Sequence, residues 1–262
     1  MIEIKKINKK SLLINIDTKT KQGEIYEDVS DITAVAIPAY YQLKSTGSMT
    51  IHKELKKDDF ASYIDEDGVV VYLDKKKNSI DEMNIPDLLL LSNEWITSVN
   101  GYVHKINQIK NYDWITEKNL DKCVKRLGKN ISDKAQYHIS LKNTNDDELQ
   151  GKDLYDIIDC VDINKDDKCT NIWKFKCLDE LKSEYFLHTA LQMYLYCNKN
   201  GYSNCNFYLY NIITNDKYKI KSNKEKLKDL VDILIDYKFS NQGKINDEEF
   251  LENVENIKKK YN

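Results

Sequence analysis

Arginine is almost missing from this chain: of its 40 basic residues only Arg126 is an arginine. The forked, two-pronged phosphate clamp that guanidinium groups build is therefore not available in multiple copies, and any anion must be met by lysine point charges. Proline occurs only twice, at Pro38 and Pro86, which excludes proline-rich linkers. This Lys/Asn/Ile/Tyr-rich, Arg/Pro-poor usage points to an AT-rich coding sequence, a clue to source and not to function. No C-x-x-C pair occurs among the six cysteines (Cys123, Cys160, Cys169, Cys177, Cys197, Cys205). Their spacing does not suit a zinc site, and free thiols in a reducing, intracellular compartment are expected. The longest apolar run, around Leu88–Leu91, is far too short to span a bilayer, so no membrane partner is expected. The opening MIEIKKINKK lacks the apolar stretch of a signal peptide.

What is present is a globular composition. In 262 residues, 41% hydrophobic content is enough for a core, and the net charge of -3 supplies no global field for nucleic acid or anionic lipid. Contact with nucleic acid must therefore come from a local patch. Periodicity divides the chain at about residue 116 into an N-terminal α/β portion (1–116) and a second portion (117–262). In the first, residues 1–30 read as one or two strands, with SLLINI alternating and KTKQGE a polar break. DITAVAIPAYYQL reads as a short helix that stops or kinks near Ala36–Pro38. KKDDFASYIDEDG suits a helix or loop before the strand VVVYL. IPDLLLLSNEWITSVNGY predicts a helix with Asp87 at its start and Gly101 at its end. A further helical pattern carries Trp114, Leu120, Cys123 and Leu127, with Thr116 and Asn119 at its start.

In the second portion the period changes. KAQYHISLK fits a strand or a helix end, and KNTNDDELQGKD a polar loop. LYDIIDCVDI and NIWKFKCL are strands joined by the turn NKDDKCT. Glu180 to Tyr196 is helical, NFYLYNIIT and YKIK form two strands about Asn215–Asp216, and two charged amphipathic helices, KEKLKDLVDILIDYK and NDEEFLENVENIKKK, close the chain. The lysine run Lys258–Lys260 reads as a solvated helix end.

The hairpin carries the chemistry. Metal-assisted phosphodiester hydrolysis needs a divalent ion held by at least two oxygen anions, with a lysine near the attacking water. One strand can bring an Asp to an open edge, and the next an acid and a lysine two residues apart on one face. Asp159 fits the first role and Lys176 the lysine. Here the chain resembles the PD-(D/E)XK nucleases of RecB type. That family pairs a strand ending G-x-x-D with I-W-E-x-K-C and follows them with a helix carrying Q-x-x-x-Y. The corresponding residues are Asp156-Ile157-Ile158-Asp159, Ile172-Trp173-Lys174-Phe175-Lys176-Cys177, and either His188-x-x-x-Gln192 or Gln192-x-x-x-Tyr196. Upstream, EDVSDITAVAIPAYYQ and KINQIKNYDWITEKNLDKCVKRL resemble the region joining helicase and nuclease in superfamily 1 helicase–nucleases of large DNA viruses. No Walker A motif is present, so the helicase motor is absent.

The resemblance implies an α/β, restriction-endonuclease-like core, a small mixed sheet flanked by helices, with an N-terminal α/β extension. It implies Mg²⁺ or Mn²⁺ as cofactor if the chain is active, DNA or a protein as partner, and, for a viral source, the cytoplasm or nucleus of an infected host cell. Lys174, Lys176, Gln192 and Tyr196 would face nucleic acid, and Asp159, with Glu180, would hold metal. Three departures stand against activity. Asp156 replaces the family's Gly, Lys174 its metal-binding Glu, and His138, in AQYHISL, the Glu of the first core helix. An ammonium near a dication is repelled by about 8 kcal/mol at 4 Å and an effective dielectric near 20.

Three readings follow. The first is a nuclease-derived module with a degenerate site that binds nucleic acid or a protein. The second is an active Mg²⁺-dependent nuclease whose missing acid is supplied by Glu180, Glu148 or Asp162. The third is a structural or host-interaction protein on the same scaffold, with its old cleft filled. Lys174 itself either contacts phosphate or pairs with Asp159. His138 reads as a metal ligand or a helix histidine with a satisfied hydrogen bond, and His188 as a packed histidine. Tyr194, Tyr196, Tyr208 and Tyr210 read as core packing or base-stacking residues.

Overall fold

The structure, a computed structural model, describes residues 2–8, 10–57, 62–64, 70–72, 83–101, 104–142, 154–164, 169–202 and 204–240. The polar loop at 143–153 with Glu148, the hairpin-turn residues 165–168, and the last amphipathic segment with Lys258–Lys260 lie outside the described residues.

The first portion supplies strands β1 (Glu3–Lys6), β2 (Lys19–Gln22), β3 (Ile25–Asp28), β4 (Ser62–Ile64) and β5 (Val70–Tyr72), and helices α1 (Ser30–Thr46), α2 (Thr50–Lys57), α3 (Ile85–Asn100) and α4 (His104–Gln108). The second supplies α5 (Glu117–Leu127), β6 (Gln136–Lys142), β7 (Tyr155–Asn164), β8 (Cys169–Lys176), α6 (Ser183–Asn200), β9 (Cys205–Asn211), β10 (Asp216–Lys221) and α7 (Lys224–Ser240). The result is a mixed α/β fold. Its central sheet has six strands in the order β1-β10-β9-β8-β7-β6. All neighbours are antiparallel except β8 and β9, which are parallel and need the α6 crossover between them. The pairs β2–β3 and β4–β5 stand apart as small hairpins.

Each face of the sheet has its own core. On one, Ile32 and Ile37 of α1, Leu88 and Leu91 of α3, and Leu120 and Leu127 of α5 pack with Trp173 and Phe175 of β8. On the other, Tyr194 and Leu195 of α6 and Leu227 and Val231 of α7 pack with Ile158, Phe207 and Ile220. The two sequence portions share both sheet and core: β1 pairs with β10, and α1 and α3 cover β8. Arg126 ties them further. Its guanidinium donates to the carbonyls of Ile212 (3.0 Å), Ile213 (2.8 Å) and Leu12.

Several expectations need correction. Helix α1 does not stop at Pro38 but continues through it, for 17 residues in all. The ring removes one backbone hydrogen bond, but Ile32, Ala36, Ile37 and Ala39 are buried along the helix, and that packing outweighs the proline cost of about 3 kcal/mol. SLLINI is not a strand; Leu12 and Ile14 donate single backbone bonds to Thr214 and Ile213. The polar break KTKQGE contains strand β2 and the left-handed Gly23 (φ 64°) that turns it into β3. Residues 62–64, expected in a helix or loop, form β4 and pair with β5.

Candidate functional site

The cleft forms where β7 leaves its neighbours. The β7–β8 ladder ends at Cys160–Trp173, and the β6–β7 register passes from Tyr137–Cys160 to Ile139–Ile158 without a pair at His138 and Asp159. His138 has φ 55°, a left-handed backbone uncommon outside glycine, though less so for Asn, Asp and His than for other residues. Side-chain alternation slips at the same place. Ile157 and Cys160 face the first core, whereas Ile158 and Val161 face the second. Asp159 is thus set free of both ladders at the mouth of a cleft of about 300 Å³ walled by α1, α3, β7, β8 and α6.

Its carboxylate is fully engaged. Lys174 Nζ donates to Oδ1 at 2.8 Å, and the Phe175 backbone N–H, unpaired with β7 beyond the ladder's end, donates to Oδ2 at 2.7 Å. Both partners are well covered, with side-chain exposures of 12% for Lys174 and 21% for Asp159. Two residues on, the Lys176 ammonium lies 4.7 Å from the centre of the Tyr185 ring. Burial, then the neighbouring Lys174 charge, lowers the Lys176 pKa, partly offset by Asp159 and Asp31.

Asp156, three residues before Asp159 on β7, is a second anchor. Its Oδ2 meets His188 Nε2 at 2.6 Å, and its Oδ1 accepts from Gln192 Nε2 (3.1 Å) and the Ile157 N–H (2.7 Å). Burial pushes this carboxyl up, but the His188 and Gln192 contacts with the Lys174 charge prevail and hold it below its ordinary value. Gln192 also donates to the Ile157 carbonyl at 2.9 Å and is only 1% exposed, so it clasps α6 to β7.

His138 departs from the helix reading. It lies in a strand, not a helix, and its buried Nδ1 has no hydrogen-bond partner among the described residues. The Trp95 ring covers it at 4.1 Å between centroids. Desolvation lowers its pKa to about 4, so at neutral pH it is an uncharged packing group.

Of the residues expected at the site, Asp159, Lys174 and Lys176 share the cleft with Asp156 and His188. Gln192 stands behind it. Tyr196 is elsewhere, edge-on to Phe207 at 5.8 Å in the second core. Glu180 is exposed in the turn before α6 and does not line the cleft. Asp162 is buried, where it accepts the Ser132 N–H (3.0 Å) and hydroxyl (2.6 Å) and pins the loop after α5. The sequence did not single out Asp31, at the start of α1, which lines the cleft and pairs with Lys105 at 2.6 Å. Trp95 also escaped notice, because only the docking of α3 on the sheet brings it to the wall. The one available signal for Asp31 was an acid in a helix's first turn, which usually means a helix-end preference only.

A hard divalent ion wants about six oxygen ligands. Among the described residues no group of three or more His, Cys, Asp or Glu side chains stands close enough to hold one. Both oxygens of Asp159 are occupied by N–H donors, one of them an ammonium. The donors among the described residues do not make up a Mg²⁺ or Mn²⁺ ligand set. Among the described residues no helix is long and apolar enough to cross a membrane. No protein-family model matches the chain, and no curated protein matches it.

Proposed function

We propose that this chain is a nuclease-type scaffold of restriction-endonuclease-like descent whose metal site has been exchanged for an internal ion pair, and that it serves DNA metabolism as a nucleic-acid-binding or interaction module. The observation that carries this reading is the Lys174–Asp159–Phe175 arrangement. An ammonium stands where the metal-binding acid is expected, and it pairs with the Asp159 carboxylate. The relocated-acid alternative draws no support from Glu180 or Asp162, since neither lines the cleft. A purely structural role fits less well, because the cleft stays open instead of being filled by side chains.

The test is incubation of the purified protein with single- and double-stranded DNA and Mn²⁺, beside Lys174→Glu and Asp159→Ala. The natural chain should leave both substrates intact while retaining them in a low-salt binding assay. Robust cutting that disappears in Asp159→Ala overturns the inactive-site reading. Failure to bind either substrate removes the nucleic-acid role.

A further inference from the structure

The proposed module needs a surface, and the cleft supplies little: Lys174 is committed to Asp159, and Lys176 is tucked over Tyr185. A different part of the sheet is better built for the task. Register places Trp173 of β8, Tyr208 of β9, Lys219 of β10 and Lys5 of β1 side by side in one row. Paired residues share a sheet face, and so do residues two apart along a strand. Lys217 and Lys221 therefore join Lys219 on that face, about 7 Å apart along β10. The ring contacts agree. Tyr208 stacks on Trp173 at 4.4 Å, the Lys219 ammonium lies 5.8 Å from the Tyr208 ring centre, and that of Lys217 lies 5.7 Å from the Trp173 ring centre.

The face is reachable. Lys5 and Lys221 are exposed, while Tyr208, Lys217 and Lys219 are partly exposed. The opposite face of the same strands is covered, with Phe207 and Ile220 buried in the second core. Lysines on an edge strand often guard against unwanted strand pairing. That explanation suits Lys5, but β10 is paired on both sides, so it does not explain Lys217, Lys219 and Lys221. Glu3 stands opposite Lys221, and Asp162, in line with Asn171 and Asn206 on the same face, is buried against Ser132.

We propose that this open half-sheet, with Tyr208 on Trp173 set among Lys5, Lys217, Lys219 and Lys221, binds single-stranded nucleic acid. Lys5, Lys219 and Lys221 take the backbone phosphates, with Lys217 held back by Asn130 Oδ1 at 2.7 Å, and the partly exposed part of the Tyr208 ring not covered by Trp173 meets an unstacked base, which a duplex keeps hidden. Because the lysines are point charges, binding tolerates any sequence. This inference rests on the nucleic-acid reading above but moves the contact from the cleft to the sheet face.

The test is fluorescence anisotropy of the full chain with a labelled thymidine 20-mer, a 20-base-pair duplex and inorganic polyphosphate, titrated with salt. The 20-mer should bind best, with log K falling against log[salt] at a slope of about -2 for three phosphate contacts. Lys219→Glu with Lys221→Glu should weaken it about tenfold or more and flatten the slope, as should Tyr208→Ala without the change in slope. Lys226→Glu, on α7 beyond the other face, should have little effect. The lysine variants are at solvent, so circular dichroism should report an intact fold even if Tyr208→Ala is unstable. Binding of the 20-mer that survives the double lysine change overturns this surface while leaving the nucleic-acid role standing. Binding to no nucleic acid removes both. Equal affinity for polyphosphate overturns the base-stacking part, and cutting by Mn²⁺ overturns the inactive site but not this face.

Discussion

At the scale of single residues, paired charge organises the cleft: Lys174 meets Asp159 and His188 meets Asp156. The Lys174–Asp159 pair lies between the surface and buried regimes, so removing one partner should cost about 2 kcal/mol. Lys174→Ala is expected to lower the urea-unfolding free energy by that amount. Lys174→Met with Asp159→Leu should recover most of it, because no orphaned charge remains. A second residue-scale consequence concerns pH. His138 is held neutral, its pKa lowered to about 4, so its contribution is full above the unfolded value of 6.5 and fades as pH falls toward 4. Glu94 is the reverse case. Burial raises its pKa from 4.5 to about 7, so its contribution is full below 4.5 and fades as pH rises through 7. Between pH 4.5 and 6.5 the two slopes oppose one another, each up to roughly 1.4 kcal/mol per pH unit. Urea midpoints across that window should be nearly flat for the natural chain. They should fall with rising pH in His138→Asn, which keeps a residue tolerant of the left-handed backbone, and rise with pH in Glu94→Gln. Asp159 and Lys176 were legible from the spacing of the two strands, and Lys174 from the resemblance. The states of His138 and Glu94 were not, since burial of a polar group depends on what other elements lay over it.

At the scale of elements, local signals succeeded where local chemistry decides. Asn84 caps α3 by accepting the Asp87 N–H at 2.9 Å, and the left-handed Gly101 (φ 69°) ends it. Both ends agree with the sequence reading to within a residue. Asn84→Ala should therefore lose about 1 kcal/mol of stability while Asn84→Ser should be nearly neutral, measured by thermal unfolding. Thr116 likewise caps α5, as its pattern suggested. The failures came where long-range packing overrode the local code. Pro38 did not stop α1, because the apolar face on either side of it docks under α3 and the sheet. SLLINI alternates like a strand, yet only a few of its backbone groups find partners at the β9–β10 turn. The left-handed kink at His138 left no mark in the text, although it is what frees Asp159 from the ladders.

At the scale of the whole molecule, the sheet is a partition with a packed layer on each side. The strands and helices of the second portion were visible from period changes, and their assembly into a mixed sheet flanked by helices was an expectation from the resemblance. That β1 would join the far edge of the same sheet was not, because a four-residue exposed strand carries no burial signal. The cysteines fall on both sides of this partition: Cys123, Cys160 and Cys177 belong to the first core and Cys197 to the second. Burial raises all four thiols, Cys123 and Cys197 to about 12, so in the folded chain they are poor nucleophiles. The protein thus carries its own clock for opening on each side of the sheet. With a thiol reagent and mass spectrometry, Cys169 and Cys205 should label first. If the layers come apart together, Cys123, Cys177 and Cys197 should then follow at one common rate, and a faster Cys197 would mark the α6–α7 layer as the one that lifts away alone.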